Sequence, residues 1–274
     1  MLDHHKIPGG HRGAIVGLAM VIAIVEFMST PSDAAPIEAR FPEDETHGRL
    51  LVRTLAGETI GQGEMTQAIR EGDLVENRLV FRFKDGSLHD EKVTFSQLGV
   101  FMLMSYRLVQ HGPSFPAQLD VSIDRGTKDY TVRSKTRAQE KEEVLAGQTD
   151  LPMDVYNGML ITVSKNLQGG NETVSILAFT PGPQVIKVQL LAVDTEAGDR
   201  SSQATQYVFK PQMGMVQELL GKAAGRLPDQ FQYDCWIMVN ETPSFVKFEG
   251  PLQLMGPPVR IEPVSIPQGD PAGR

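Results

Sequence analysis

In NRLVFRFKDG, residues 77–86, Leu79, Phe81 and Phe83 alternate with Arg78, Arg82 and Lys84, and Asp85-Gly86 closes the run. A period of two marks a strand with one dry face, and Asp-Gly is a hairpin turn signal. EKVTF follows with Val93 and Phe95 on one side, so residues 78–95 are expected to form a hairpin. QLDVSIDRGTKDYTVRSK repeats the pattern: Leu119, Val121 and Ile123 face inward, the chain turns near Arg125-Gly126, and Tyr130 and Val132 lie on the return. Consecutive hairpins build an antiparallel meander, here expected to begin near Arg49.

LGVFMLMSYRLVQ, Leu98 to Gln110, breaks the alternation, being apolar at every position from Val100 to Met104. Beside strands it reads as a strand covered on both faces, so another part of the chain must supply the cover. LPMDVYNGMLITVSKNL is the candidate. Val155, Met159, Leu160, Val163 and Leu167 fall on one face of a helix, whereas the Asn157-Gly158 hairpin signal would require alternation after it. Pro152 suits the first helical turn, Asp154 the positive N-terminal end, and Gly169-Gly170 the stop.

ETVSILAFTPGPQVIKVQLLAVD then reads as two strands joined at Pro181-Gly182-Pro183, TQYVFKP as another, and GMVQELLGKAAGRLP as a second amphipathic helix. FQYDCWIMV, SFVKFEG and VRIEPV are the last strands. The expected fold is mainly β with two helices (α+β): a large antiparallel sheet of about ten or more strands, curled or half-barrel, with helices on its concave side.

The chain opens with a polar stretch carrying Lys6 and Arg12, an apolar run from Ala14 to Val25, and small residues at Ser32 and Ala34. That is the layout of a secretory signal peptide, and residues 1–34 are expected to be removed. A membrane-spanning helix needs about 20 apolar residues, and Glu26 ends this run well short of that. The expected organisation is a signal at 1–34, a flexible arm at 35–48, one β-rich domain at 49–266 and a disordered tail at 267–274. Removal takes Lys6 and Arg12 along with Asp3, Glu26 and Asp33, so the formal charge moves from −8 to −7. A mildly acidic chain without a basic cluster points away from nucleic acid and from anionic membrane surfaces. Cys235 is the single cysteine, so an exported product has no internal disulfide. Its place in QFQYDCWIMV puts it on the apolar face of a strand as a small buried hydrophobe.

Of the six histidines, His4, His5 and His11 precede Ala34; His47, His89 and His111 follow it. No HExxH or Cys/His zinc spacing exists, and no metal or cofactor is expected. GPSFP, Gly112 to Pro116, is a near-miss to the nucleophile elbow, with Pro116 in place of glycine and a strand rather than a helix following. A hydrolase using Ser114 with His111 is the least favoured reading. SFVK, Ser244 to Lys247, matches SxxK, but residues three apart on a strand face opposite sides. His89, Asp90 and Glu91 read as exposed charges at a strand start. GQGEMTQ has one Gly-x-Gly without the rest of a phosphate loop.

What remains is apolar. Nine of the twelve methionines follow Ala34, and methionine lines adaptable binding surfaces as readily as it fills cores. Met102, Met104, Met159, Leu160, Val163 and Met215 are the candidate lining of an apolar pocket. The exported chain, the disulfide-free antiparallel sheet and the interrupting helices resemble, over residues 49–265, the LolA and LolB type of half-barrel lipoprotein carrier among exported bacterial β-rich proteins. The resemblance is one of layout and carries no residue role. It implies a noncatalytic periplasmic or extracellular protein holding a lipid or other apolar ligand. The alternative is a structural or interaction module of the envelope with a solid core and a protein partner.

Overall fold

A computed structural model of the chain describes residues 36–136, 141–179, 182–193, 204–212, 233–253 and 256–264. The elements in chain order are β1 (Thr46–Arg53), β2 (Thr59–Arg70), β3 (Leu74–Phe83), β4 (Leu88–Ser96), β5 (Met102–His111), β6 (Ala117–Asp124), β7 (Asp129–Thr136), β8 (Glu143–Gln148), α1 (Leu160–Leu167), β9 (Glu172–Phe179), β10 (Pro183–Val193), β11 (Ala204–Pro211), β12 (Tyr233–Met238), β13 (Ser244–Pro251) and β14 (Pro258–Pro263). All the strands join one large curled antiparallel sheet. Its order is two meanders, β8 to β1 and β14 to β9, sewn together where β1 pairs with β14. Both expected hairpins form, with Phe81 opposite His89 and Val121 opposite Val132. Leu145 of β8 touches Gly182, just ahead of β10, so closely that a Cβ on the glycine would lie 2.9 Å from it. The outermost parts of the two meanders thus approach each other, and the sheet wraps a common interior.

That interior is filled from residues 151–167. Residues 154–157 run extended along the outer edge of β9: Tyr156 N–H donates to the Ser175 carbonyl and Ser175 N–H to the Asp154 carbonyl. Asn157 continues the stitching with its side chain, accepting from Leu177 N–H at 2.7 Å and donating to the Leu177 carbonyl at 3.0 Å. Gly158, at φ +69°, then turns the chain into α1, a conformation that costs glycine nothing. Its α-carbon is pressed on Val93, where an added Cβ would sit at 3.3 Å. The helix is therefore shorter than the apolar spacing suggested. Pro152 and Asp154 lie outside it, and Val155 packs from extended backbone. Asp154 pairs with Lys187 of β10 at 2.7 Å and accepts from the Ser175 hydroxyl. Gln168 and Gly169 end α1 in left-handed conformation.

Arg125, in the β6–β7 turn, holds the start of this segment by donating to the Leu151 and Pro152 carbonyls at 2.7 and 2.8 Å. Residues 37–43, within the expected arm at 35–48, strap it down. Ile37 N–H donates to the Tyr156 hydroxyl, Phe41 N–H to the Asn166 side chain, and Lys165 meets the buried Glu43 at 2.6 Å. Ala39 and Phe101 complete the strap through backbone bonds to Gly99 and Ile37.

Among the described residues α1 is the only helix. The second expected helix (214–228), the signal peptide (1–34) and the tail (267–274) lie outside them. No described helix is long and apolar enough to cross a membrane.

Candidate functional site

Strand parity puts a polar group into the interior. Val93 and Phe95 of β4 face inward, so His89 and Glu91, at steps of two, start out on the same face. His89 is 3 % exposed, packed between Phe81 at 5.5 Å and Phe115 at 6.5 Å between ring centres. The intervening Asp90 faces out and takes a two-pronged bond from Arg78 at 2.9 and 2.6 Å. The three residues expected as exposed charges are thus split between the two faces, because a charge-rich stretch keeps the alternation of its strand.

Across the β4–β5 pairing, His89 stands opposite Gln110, which is fully buried. The Gln110 amide nitrogen spends both hydrogens, one on His89 Nδ1 at 2.8 Å and one on the Leu252 carbonyl at 2.9 Å. Nδ1 is then an acceptor, and the ring proton sits on Nε2. Nε2 lies 3.9 Å from Glu91 Oε2, and Glu91 Oε1 accepts from the Tyr106 hydroxyl at 2.7 Å. His89 Nε2 and Gln110 Oε1 are buried without a hydrogen-bond partner among the described residues. Burial and the Glu91 charge push the Tyr106 hydroxyl well above its ordinary value. The arrangement is a proton-bearing pair inside an apolar core. The imidazole lone pair that a general base would use is already taken by Gln110.

Of the expected apolar lining, Met159 and Val163 are fully buried in the main core with Leu160 packed against it. Met102 and Met104 are not brought to them. They flank the buried Leu103 on β5 and are half-exposed on the opposite face, so that strand is covered on one face and not on both. Met215 lies outside the described residues. A cavity of about 30 Å³ lies between Phe83, Phe115, Leu252 and Val259, room for a single water. A wider, open groove of about 580 Å³ runs between the Gly112–Gln118 turn and Lys135.

The other singled-out motifs resolve structurally. The Ser114 hydroxyl donates to Asp85 at 2.8 Å, and no hydrogen bond joins it to His111 among the described residues. Lys247 of SFVK sits 3.7 Å over the Trp236 ring and pairs with Glu249. Gly61 and Gly63 belong to β2, where Gly63 makes room for the Phe81 ring. Cys235 is buried, and burial pushes its thiol up. No group of three or more potential metal-ligating side chains occurs among the described residues.

No family model, curated protein or solved structure matches this chain.

Proposed function

We propose that the chain is an exported, noncatalytic β-rich module that acts through its outer surface, as an interaction or structural part of the cell envelope. One observation carries this: the space a carrier would keep for an apolar guest is occupied by the chain's own Tyr156, Met159 and Val163, each with no exposed surface. The half-barrel layout that resembles lipoprotein carriers remains compatible with this reading, but a carrier needs a pocket of about 300 Å³ or more, enclosed on most sides. Export rests on residues 1–34, whose polar, apolar and small-residue zones support a signal peptide.

Native mass spectrometry of the mature protein, purified from its own envelope, is the first arm of the test, and crosslinking in cells is the second. The expected result is a ligand-free mass together with one reproducible crosslinked protein partner. A stoichiometric bound lipid, with no protein crosslink, overturns the proposal in favour of an apolar-ligand carrier.

A further inference from the structure

We propose that His89 and Gln110 form a proton-operated latch that fastens the β13–β14 connection to β5. The Gln110 amide nitrogen bonds His89 Nδ1 and the Leu252 carbonyl together, while its oxygen bonds neither. This arrangement is consistent only with a neutral imidazole. A proton added at Nδ1 would point at the amide NH₂, donor against donor.

Turning the amide over removes that conflict at His89 and moves it to Leu252, whose carbonyl then faces Oε1, acceptor against acceptor, in the place the NH₂ held. Oε1 then accepts from Nδ1–H, satisfying an oxygen that has no partner among the described residues, and the NH₂ leaves the Leu252 carbonyl. The new charge meets a counter-ion without further movement, because the Glu91 carboxylate lies 3.9 Å from Nε2. Among the described residues, the titratable groups acting on the ring are Glu91 and, by charge from the other face of the strand, Asp90, both of β4, and, through Glu91, Tyr106 from β5. β3 brings Phe81, the Gly112–Pro116 turn brings Phe115, and the β13–β14 connection brings a backbone carbonyl, none of which titrates. The proton moves from solvent to Nδ1, and the bond lost is the one that spans 142 positions of sequence. Leu252 also lines the small cavity beside Phe115, so release of its carbonyl loosens that wall.

The experiment uses the full mature chain with isotope-labelled histidine. After residue 34 it holds three histidines, His47, His89 and His111, and single His→Gln variants at 47 and 111 leave the His89 signal identified. Ring resonances are followed from roughly pH 8 to pH 5, the range in which an imidazole ordinarily charges. Hydrogen exchange of the peptide spanning residues 244–253, corrected for the intrinsic pH dependence, is followed in parallel. The expected result is protonation of His89 at Nδ1, with exchange in that peptide rising at least tenfold through the same transition. In His89→Phe, which keeps an aromatic ring between Phe81 and Phe115, the peptide should stay protected at both ends of the range. The proposal is overturned if His89 stays neutral down to pH 5 in folded protein, if it charges with no change in the peptide, or if His89→Phe keeps the pH response.

Discussion

Asn157 is where the internal segment is sewn to the sheet, and replacing it by leucine tests that role directly. The side chain satisfies both the N–H and the carbonyl of Leu177 in a buried setting. Leucine has nearly the same size and offers neither bond. Each backbone group left without a partner costs about 1–3 kcal/mol, so loss of both should cost about 2–6 kcal/mol. For a domain of this size each kcal/mol is worth roughly 2–4 °C in Tm, so Asn157→Leu should melt at least about 4 °C lower by calorimetry. Hydrogen exchange should show the Leu177 amide among those that lose most protection. Asn240→Ala is the control: that side chain is exposed and, among the described residues, bonds only the nearby Thr242 N–H, so its effect should stay within about 0.5 kcal/mol. An Asn157→Leu protein with unchanged Tm and a still-protected Leu177 amide would refute the stitching.

Gly63→Ala places a Cβ 2.5 Å from the Phe81 ring and 3.0 Å from Leu50; urea unfolding should show a loss of about 1–3 kcal/mol, relieved in part when Phe81→Leu is added. The Asp90 carboxyl is held below its ordinary value chiefly by its bond to Arg78. A depressed carboxyl contributes stability that is present above the unfolded value and is lost as pH falls through the folded one. Asp90→Asn should therefore destabilise by up to about 1 kcal/mol near pH 7, Arg78 being half in solvent, with the difference vanishing at acid pH in stability titrations. Cys235 should resist a water-soluble thiol reagent in native protein and react fully in denaturant, because its sulfur is buried and its thiolate disfavoured; rapid native labelling would contradict the packing of β12.

The meander was legible because period two survives wherever one face is dry: Leu79, Phe81 and Phe83, then Leu119, Val121 and Ile123, mark strands without help from the rest of the chain. β2 was harder, since its inward positions include Gly61 and Gly63, which carry no apolar signal and serve the facing phenylalanines instead. β8 is mostly exposed and shows no pattern at all. The internal segment misled at its start because Val155 falls at helical spacing from Met159 while its backbone is committed to β9, a pairing no local window reveals. Asn157-Gly158 did signal a sharp change of direction, but from strand edge into helix rather than from strand to strand. The polar pair in the core was readable by parity from Val93 and Phe95, yet the run His89-Asp90-Glu91 masked it, as net polarity says nothing about which residue faces in. Its partner Gln110 could be matched to it only through the β4–β5 register.

Every neighbouring pair in the sheet except one joins strands consecutive in the chain, although β8 and β9 flank the long internal segment and do not pair. The exception is the seam, where Leu50 meets Pro263 and Val52 meets Ile261. On a ribosome releasing the chain from its N-terminus, β1 waits with one edge bare until the last described strand emerges, while β2 to β8 can fold beside it. Closing so long a loop adds about 0.6 kcal/mol for each doubling of its length, a cost the chain meets only once its last described strand has emerged. A product that stops before residue 258 would carry β1 and β13 as two open edges, each a template for the other half of a neighbouring molecule. The final few residues of β14 thus decide whether the chain closes on itself or is left to pair with another copy.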